Sequence, residues 1–282
     1  MSAAEKLKEK GYGRQAEILE GMAADCIEMK TSKCEEEEFT LGESKIGGVP
    51  HLPANYKWDR FNDKPLAFLA QINLEQTAEY DKQGLLPKTG MLYFFHEGGD
   101  EVWGFDPKDK GGFRTVYYDG DTSELNAVPL PDELEDCLKF KPCRLQFSCE
   151  KSYPSNLYEL SHVFFDSDES GDNDDFYYIA AEYSSGVIHK LFGYPYLLQN
   201  DIFLECQLAS SGLYRGNAGG YSDPRAEGLR QGAADWMLLF QIDSDDNADM
   251  MWGDAGRMYF AIKKQDLLNR NFDAVWSVFQ CC

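Results

Sequence analysis

Lys45-Ile46-Gly47-Gly48-Val49-Pro50-His51-Leu52 returns later in the chain as Lys190-Leu191-Phe192-Gly193-Tyr194-Pro195-Tyr196-Leu197, with four of the eight positions identical. Two more blocks follow in the same order. Leu69-Ala70-Gln71-Ile72-Asn73 is matched by Leu239-Phe240-Gln241-Ile242-Asp243, and Gly90-Met91-Leu92-Tyr93-Phe94 by Gly256-Arg257-Met258-Tyr259-Phe260. Ten of these eighteen aligned positions are identical, where ordinary residue frequencies give about one. The chain therefore reads as an internal duplication, with repeat blocks near 45–95 and 190–260. The copies are unequal: Pro50 and Gln71 are 21 residues apart, Pro195 and Gln241 46. The Gly- and Ser-rich stretch Ser210 to Gln231 is the expected place of the extra residues.

Around these blocks run short apolar segments punctuated by Gly, Pro, Asn and Asp, which is the texture of many short strands. Leu66–Ile72, Met91–Phe95, Thr115–Tyr118, Phe176–Ala181, Leu238–Ile242 and Met258–Ile262 are the expected examples. Helical pieces are expected near Pro131–Cys137, Pro224–Trp236 and Lys263–Leu268. Ile18, Leu19, Met22, Ala23 and Cys26 fall at helical spacing and predict a helix from about Arg14 to Met29. The run Glu35–Glu38 reads as a solvated connector, dividing an N-terminal helical segment, 1–38, from a duplicated domain, 39–282. The class is α+β, with two like sheets expected to pack about a pseudo-twofold axis.

The 282 residues carry 27 Lys and Arg against 49 Asp and Glu, a formal net charge of −22. That field repels a phosphate backbone and argues against nucleic acid as a partner; it fits solubility or a basic protein partner. The N-terminus lacks the apolar run of a secretory signal, and no stretch reaches the length of a membrane span, so a cytoplasmic setting is expected. The eight cysteines contain no C-x-x-C pair and read as reduced thiols.

The matched amides Gln71 and Gln241 are the first candidate ligand-binding residues. Period-two alternation puts Asn73 on the face of Gln71 and Asp243 on the face of Gln241. As a functional pair the two amides would meet at the pseudo-axis; as a structural pair they would tie backbone edges together. The acidic stretch Asp243, Asp245, Asp246, Asn247, Asp249 and Asp254 surrounds Trp252. Measured against a calcium loop, it has Ala248 in place of the turn glycine and Asp254 in place of the bidentate glutamate, and reads as a solvated loop. A second start, Asp166, Asp168, Ser170 and Gly171, meets Tyr177 at its last ligand position. The four histidines, His51, His96, His162 and His189, have no partner at motif spacing. No zinc, phosphate-loop, dinucleotide or nucleophile-elbow motif occurs, and no metal or cofactor is expected.

The stretches Gly47-Gly48-Val49-Pro50, Phe68-Leu69-Ala70-Gln71-Ile72-Asn73-Leu74, Gly193-Tyr194-Pro195 and Trp252-Gly253-Asp254-Ala255-Gly256 resemble the YwqG-like family of unknown function, over roughly residues 40 to 280. The resemblance implies the fold and an intracellular setting, with some bacterial relatives lying beside toxin genes. It transfers no catalytic residue. Two functions are expected from these observations. One is a binding or interaction protein, in its sharpest form toxin-neutralising. The other is a hydrolase using Asp243 and Asp254 beside Trp252 in a cleft between the repeats.

Overall fold

β-Branched and aromatic residues alternating with small ones pair readily as strands when both faces can be covered, and here all the long apolar runs but one do so. The structure, a computed structural model, describes residues 3–99, 101–166, 173–184, 189–216 and 218–281. Ten strands form one antiparallel sheet: β1 Ala24–Lys33, β2 Lys45–Ile46, β3 Ala67–Asn73, β4 Met91–His96, β5 Phe113–Tyr118, β6 Cys143–Ser152, β7 His189–Leu191, β8 Trp236–Asp243, β9 Arg257–Lys263 and β10 Trp276–Gln280. Their spatial order is β10-β9-β8-β7-β1-β6-β2-β3-β4-β5. These ten strands thus make one large sheet rather than the two expected, with two small two-stranded sheets apart from it, His51–Pro53 with Leu125–Ala127 and Arg60–Phe61 with Lys64–Pro65. The long pair β1 and β6, in register from Ala24 opposite Ser152 to Lys33 opposite Cys143, joins what would have been separate sheets.

The sheet curls until its ends meet. Phe94 of β4 lies 4.3 Å from Phe240 of β8 and 5.2 Å from Phe260 of β9, between ring centroids. At the margins Phe113 of β5 meets Trp276 of β10 edge to face at 5.3 Å. Residues after Val102 close the seam: Trp103 O accepts the Phe279 N–H at 3.1 Å, and Gly104 O accepts Trp276 Nε1–H at 2.9 Å. The mixed helix and strand composition and the large, nearly closed antiparallel sheet define the class. Phe94, Phe240 and Phe260 are fully buried, each burial stabilising by about 1.5–3 kcal/mol over exposure.

Two expectations are corrected. The N-terminal helix ends early: α1 spans Ala3–Glu9 and α2 Gly13–Gly21, and Ala24 to Lys33 are strand β1. Cys26, Ile27, Glu28 and Met29 are consecutively buried because β1 sits mid-sheet, covered on both faces, which erases the period of two. Conversely, Phe176–Ala181, expected as a strand, lies within helix α3, Asp174–Ser184. Phe176, Ile179 and Ala180 form its buried stripe against Leu7, Ala16 and Leu19 of the N-terminal helices. Between β7 and β8 lie helix α4, Ile202–Ser210, and a helix Pro224–Leu229, where a helical piece was expected near Pro224–Trp236. Asp168, Ser170, Gly171 and Cys282 lie outside the described residues. Among the described residues no helix is long and apolar enough to cross a membrane.

Candidate functional site

Gln71 and Gln241 are both fully buried, and each ties a loop to its strand. Gln71 Oε1 accepts the His51 N–H at 2.7 Å, while its Nε2 donates to Glu43 O at 2.6 Å. Gln241 Oε1 accepts the Tyr196 N–H at 2.9 Å. Tyr93 Oη donates to His51 O and Tyr259 Oη to Tyr196 O, both at 2.7 Å. Four strands separate β3 from β8. Ala70 and Ile72 belong to the main core, so alternation turns Gln71 to the opposite, outer face. The structure does not bring the two amides together.

The neighbours at the next offset are also occupied locally. Asn73 caps the short helix Leu74–Thr77 by accepting Glu75 N–H at 3.0 Å, and its amide donates to Gly42 O at 2.9 Å. Asp243 is ion-paired with Arg257 and accepts the Ser244 N–H at 2.9 Å. Burial pushes its carboxyl above the usual range despite that pair. Asp254 is exposed, so the two carboxylates named for hydrolysis stand in opposite environments. Trp252 is fully buried, edge to face on Phe140 at 5.0 Å, and its Nε1 has no hydrogen-bond partner among the described residues.

Asp245 and Asn247 build a turn rather than a cation loop. Asp245 accepts Thr31 Oγ1–H at 2.5 Å and His189 Nε2–H at 3.0 Å. Burial pushes the Asp245 carboxyl up, but these bonds and the Asn247 N–H outweigh it and hold it at about 2. His189 Nδ1 meanwhile accepts the Asp243 N–H at 3.2 Å, so both ring nitrogens are engaged and the imidazole offers no free base. Among the described residues no group of three His, Cys, Asp or Glu is placed to hold a metal ion.

Two lysines carry signals that the motif reading passed over, although they open the matched blocks. Lys45 stands opposite Gln71, and Lys190 opposite Gln241. Lys45 is fully buried and ion-paired with Glu36, which also accepts the Val49 N–H at 3.0 Å. The glutamate run expected to be a solvated connector therefore supplies a core counter-ion. Lys190 is 4% exposed, and burial, aided by Arg257 and opposed by Cys26 and Glu28, draws it down to about 8.

The open site lies elsewhere, against the flank of the Trp252 loop. A cavity of about 300 Å³ is walled by Glu97, Glu101, Glu133 and Glu135, with Lys64 as its cation and Met251 at its rim. Buried Leu134 and half-buried Leu138 give it an apolar floor, and Met251 is 59% exposed. Glu97 Oε2 accepts the Gly99 N–H at 3.1 Å and the Glu101 N–H at 3.3 Å, which holds the loop after β4. Gly98 takes φ +123° there, a conformation suited to glycine. Glu133 is bound by Arg60 at 3.2 Å, and Glu101 sits 3.8 Å from Lys64. No ion pair among the described residues involves Glu97 or Glu135, and four carboxylates face one ammonium. These residues come from four distant stretches, so no local pattern signalled them; only Met251 and Gly253 adjoin a residue chosen from the sequence.

The fold and this site define a mixed helix and strand protein, built on one curled antiparallel sheet, with an acidic cleft at its rim. The chain belongs to the family described as domain of unknown function DUF1963, whose model matches residues 44–281. No curated protein matches this chain in sequence.

Proposed function

We propose that the protein is a binding protein whose acidic cleft receives a cationic side chain of a basic protein partner. The observation that carries this reading is the conjunction of Glu97, Glu101, Glu133 and Glu135 with an apolar floor and the exposed Met251. A Lys or Arg side chain has an apolar stem and a charged head, and such a cleft offers both surfaces. The net charge of −22 would steer a basic partner toward the protein. A toxin as that partner, and a cytoplasmic setting, rest on the resemblance to YwqG-like proteins.

The same reading takes the chain as an internal duplication with a pseudo-twofold axis between β1 and β6. Supporting it, the strand order pairs β2, β3, β4 and β5 on one side with β7, β8, β9 and β10 on the other. Register shifts fall at Phe68/Ala70 and Leu238/Phe240. Gly47 and Gly48 have φ +65° and +71°, and Phe192 and Gly193 have +65° and +72°.

The test is titration with an arginine- and leucine-containing peptide. Binding that weakens as salt rises from about 0.05 to about 0.5 M, and that is lost when Glu101 and Glu135 are reversed to Lys, is the expected result. Binding indifferent to both changes would refute the reading.

A further inference from the structure

A second cavity, of about 480 Å³, opens at a different place, where β8 and β10 begin and β9 ends. Its walls include Trp236 and Trp276, with Lys110 and Lys263 at their sides. Both indoles are held rigid by their nitrogens: Trp236 Nε1 donates to Gln207 Oε1 at 2.9 Å, and Trp276 Nε1 to Gly104 O at 2.9 Å. Lys263 Nζ lies 5.6 Å above the Trp236 ring centroid, and Lys110 Nζ 5.9 Å from that of Trp276. The cavity therefore joins two aromatic walls with two ammonium groups.

The carboxylates at this cavity are already engaged. Asp273 is bound by Arg114 at 2.7 Å, and Asp266 accepts the Asn271 amide at 2.8 Å. Lys110 donates to Asp273 O at 2.6 Å and Val275 O at 3.3 Å, leaving its third proton. Lys263 makes no ion pair among the described residues, so its ammonium is satisfied only by the ring beneath it and by solvent. Arg114, which also reaches Asp59 at 3.8 Å, takes up Asp273, and among the described residues neither Lys110 nor Lys263 makes an ion pair with a carboxylate, so both ammoniums remain for a ligand in a chain of net charge −22.

We propose that this cavity binds a small planar organic anion, of the aromatic carboxylate class, its ring against the two indoles and its carboxylate on Lys263 and Lys110. An apolar cavity of this size with a few convergent polar groups is the form that small-molecule sites take, and the two lysines select an anion where the rest of the surface repels one.

The test uses 2-naphthoate, the neutral naphthalene-2-carboxamide and acetate, followed by tryptophan fluorescence and calorimetry on the full chain. 2-Naphthoate should bind and quench at concentrations below about 1 mM, with the carboxamide and acetate each weaker by about tenfold or more. Lys263→Glu should weaken 2-naphthoate by about tenfold or more, and Ala274→Trp, which fills the mouth from a half-buried position, should abolish binding. Circular dichroism establishes that each variant is folded; Lys263→Met serves if the charge reversal is not. No binding of 2-naphthoate, equal binding of the carboxamide, or full binding by both variants would overturn the proposal.

Discussion

Lys45 and Lys190 stand in the same register opposite Gln71 and Gln241, yet among the described residues Lys45 has a carboxylate on its ammonium and Lys190 has none. Removing Glu36 leaves a buried charge unpaired, which costs about 3–5 kcal/mol in typical cores. Glu36→Gln should therefore lower stability by about 3 kcal/mol in urea denaturation. Lys190→Met removes a buried cation with no ion pair among the described residues, and should leave stability within about 1 kcal/mol of the parent or raise it.

The same lysine gives an alkaline signature. Its folded value of about 8 lies below its ordinary 10.5, so between these the unfolded chain binds more protons and stability rises with pH. Over pH 8 to 9.5 the parent should gain on Lys190→Met by up to ~1.4 kcal/mol per pH unit. Parallel pH curves would show that Lys190 is protonated throughout this range.

Acid should act through His96, which is fully buried against Phe113 and Phe260. Its Nδ1 accepts the Gly98 N–H at 3.1 Å, and burial draws the ring down to about 3. The unfolded chain takes up a proton near pH 6.5 and the folded chain does not, so stability is present above 6.5 and is lost as pH falls toward 3. His96→Phe should remove ~1.4 kcal/mol per pH unit of that slope between pH 6 and 4. His51, drawn down to about 4 by burial, keeps its own share in both proteins.

Truncating either strap amide strands a loop N–H. Gln71→Ala and Gln241→Ala should each cost about 1–3 kcal/mol, read as a shift in denaturation midpoint. If the first is costly and the second neutral, the two straps are not equivalent.

In the cleft, Glu135 is exposed, and its side chain's one hydrogen bond among the described residues is a long contact with Cys137 Sγ at 4.0 Å. Glu135→Lys should leave the denaturation midpoint unchanged while weakening the basic peptide about tenfold at low salt. Glu97→Ala should weaken the peptide and lower the midpoint at once, because Glu97 also holds its own loop.

Much of the sheet was legible: the runs near 66–72, 91–95, 238–242 and 258–262 are strands β3, β4, β8 and β9. So was the equivalence of Gln71 and Gln241, each holding the residue after a matched proline. What local pattern determines is which segments extend and which polar groups recur, because alternation and turn chemistry act over a few residues. Strand β1 escaped it, since a segment covered on both faces carries no alternation, and α3 escaped because its short apolar run suits either period until packing chooses. Tertiary structure alone decided that one sheet forms and not two, through the β1–β6 pairing across more than a hundred residues. It also turned the two glutamines outward on strands with four others between them, and gathered four glutamates from separate loops into one cleft. The reason is the same in each case: these relationships depend on which surfaces are buried together, and burial is a property of the whole chain.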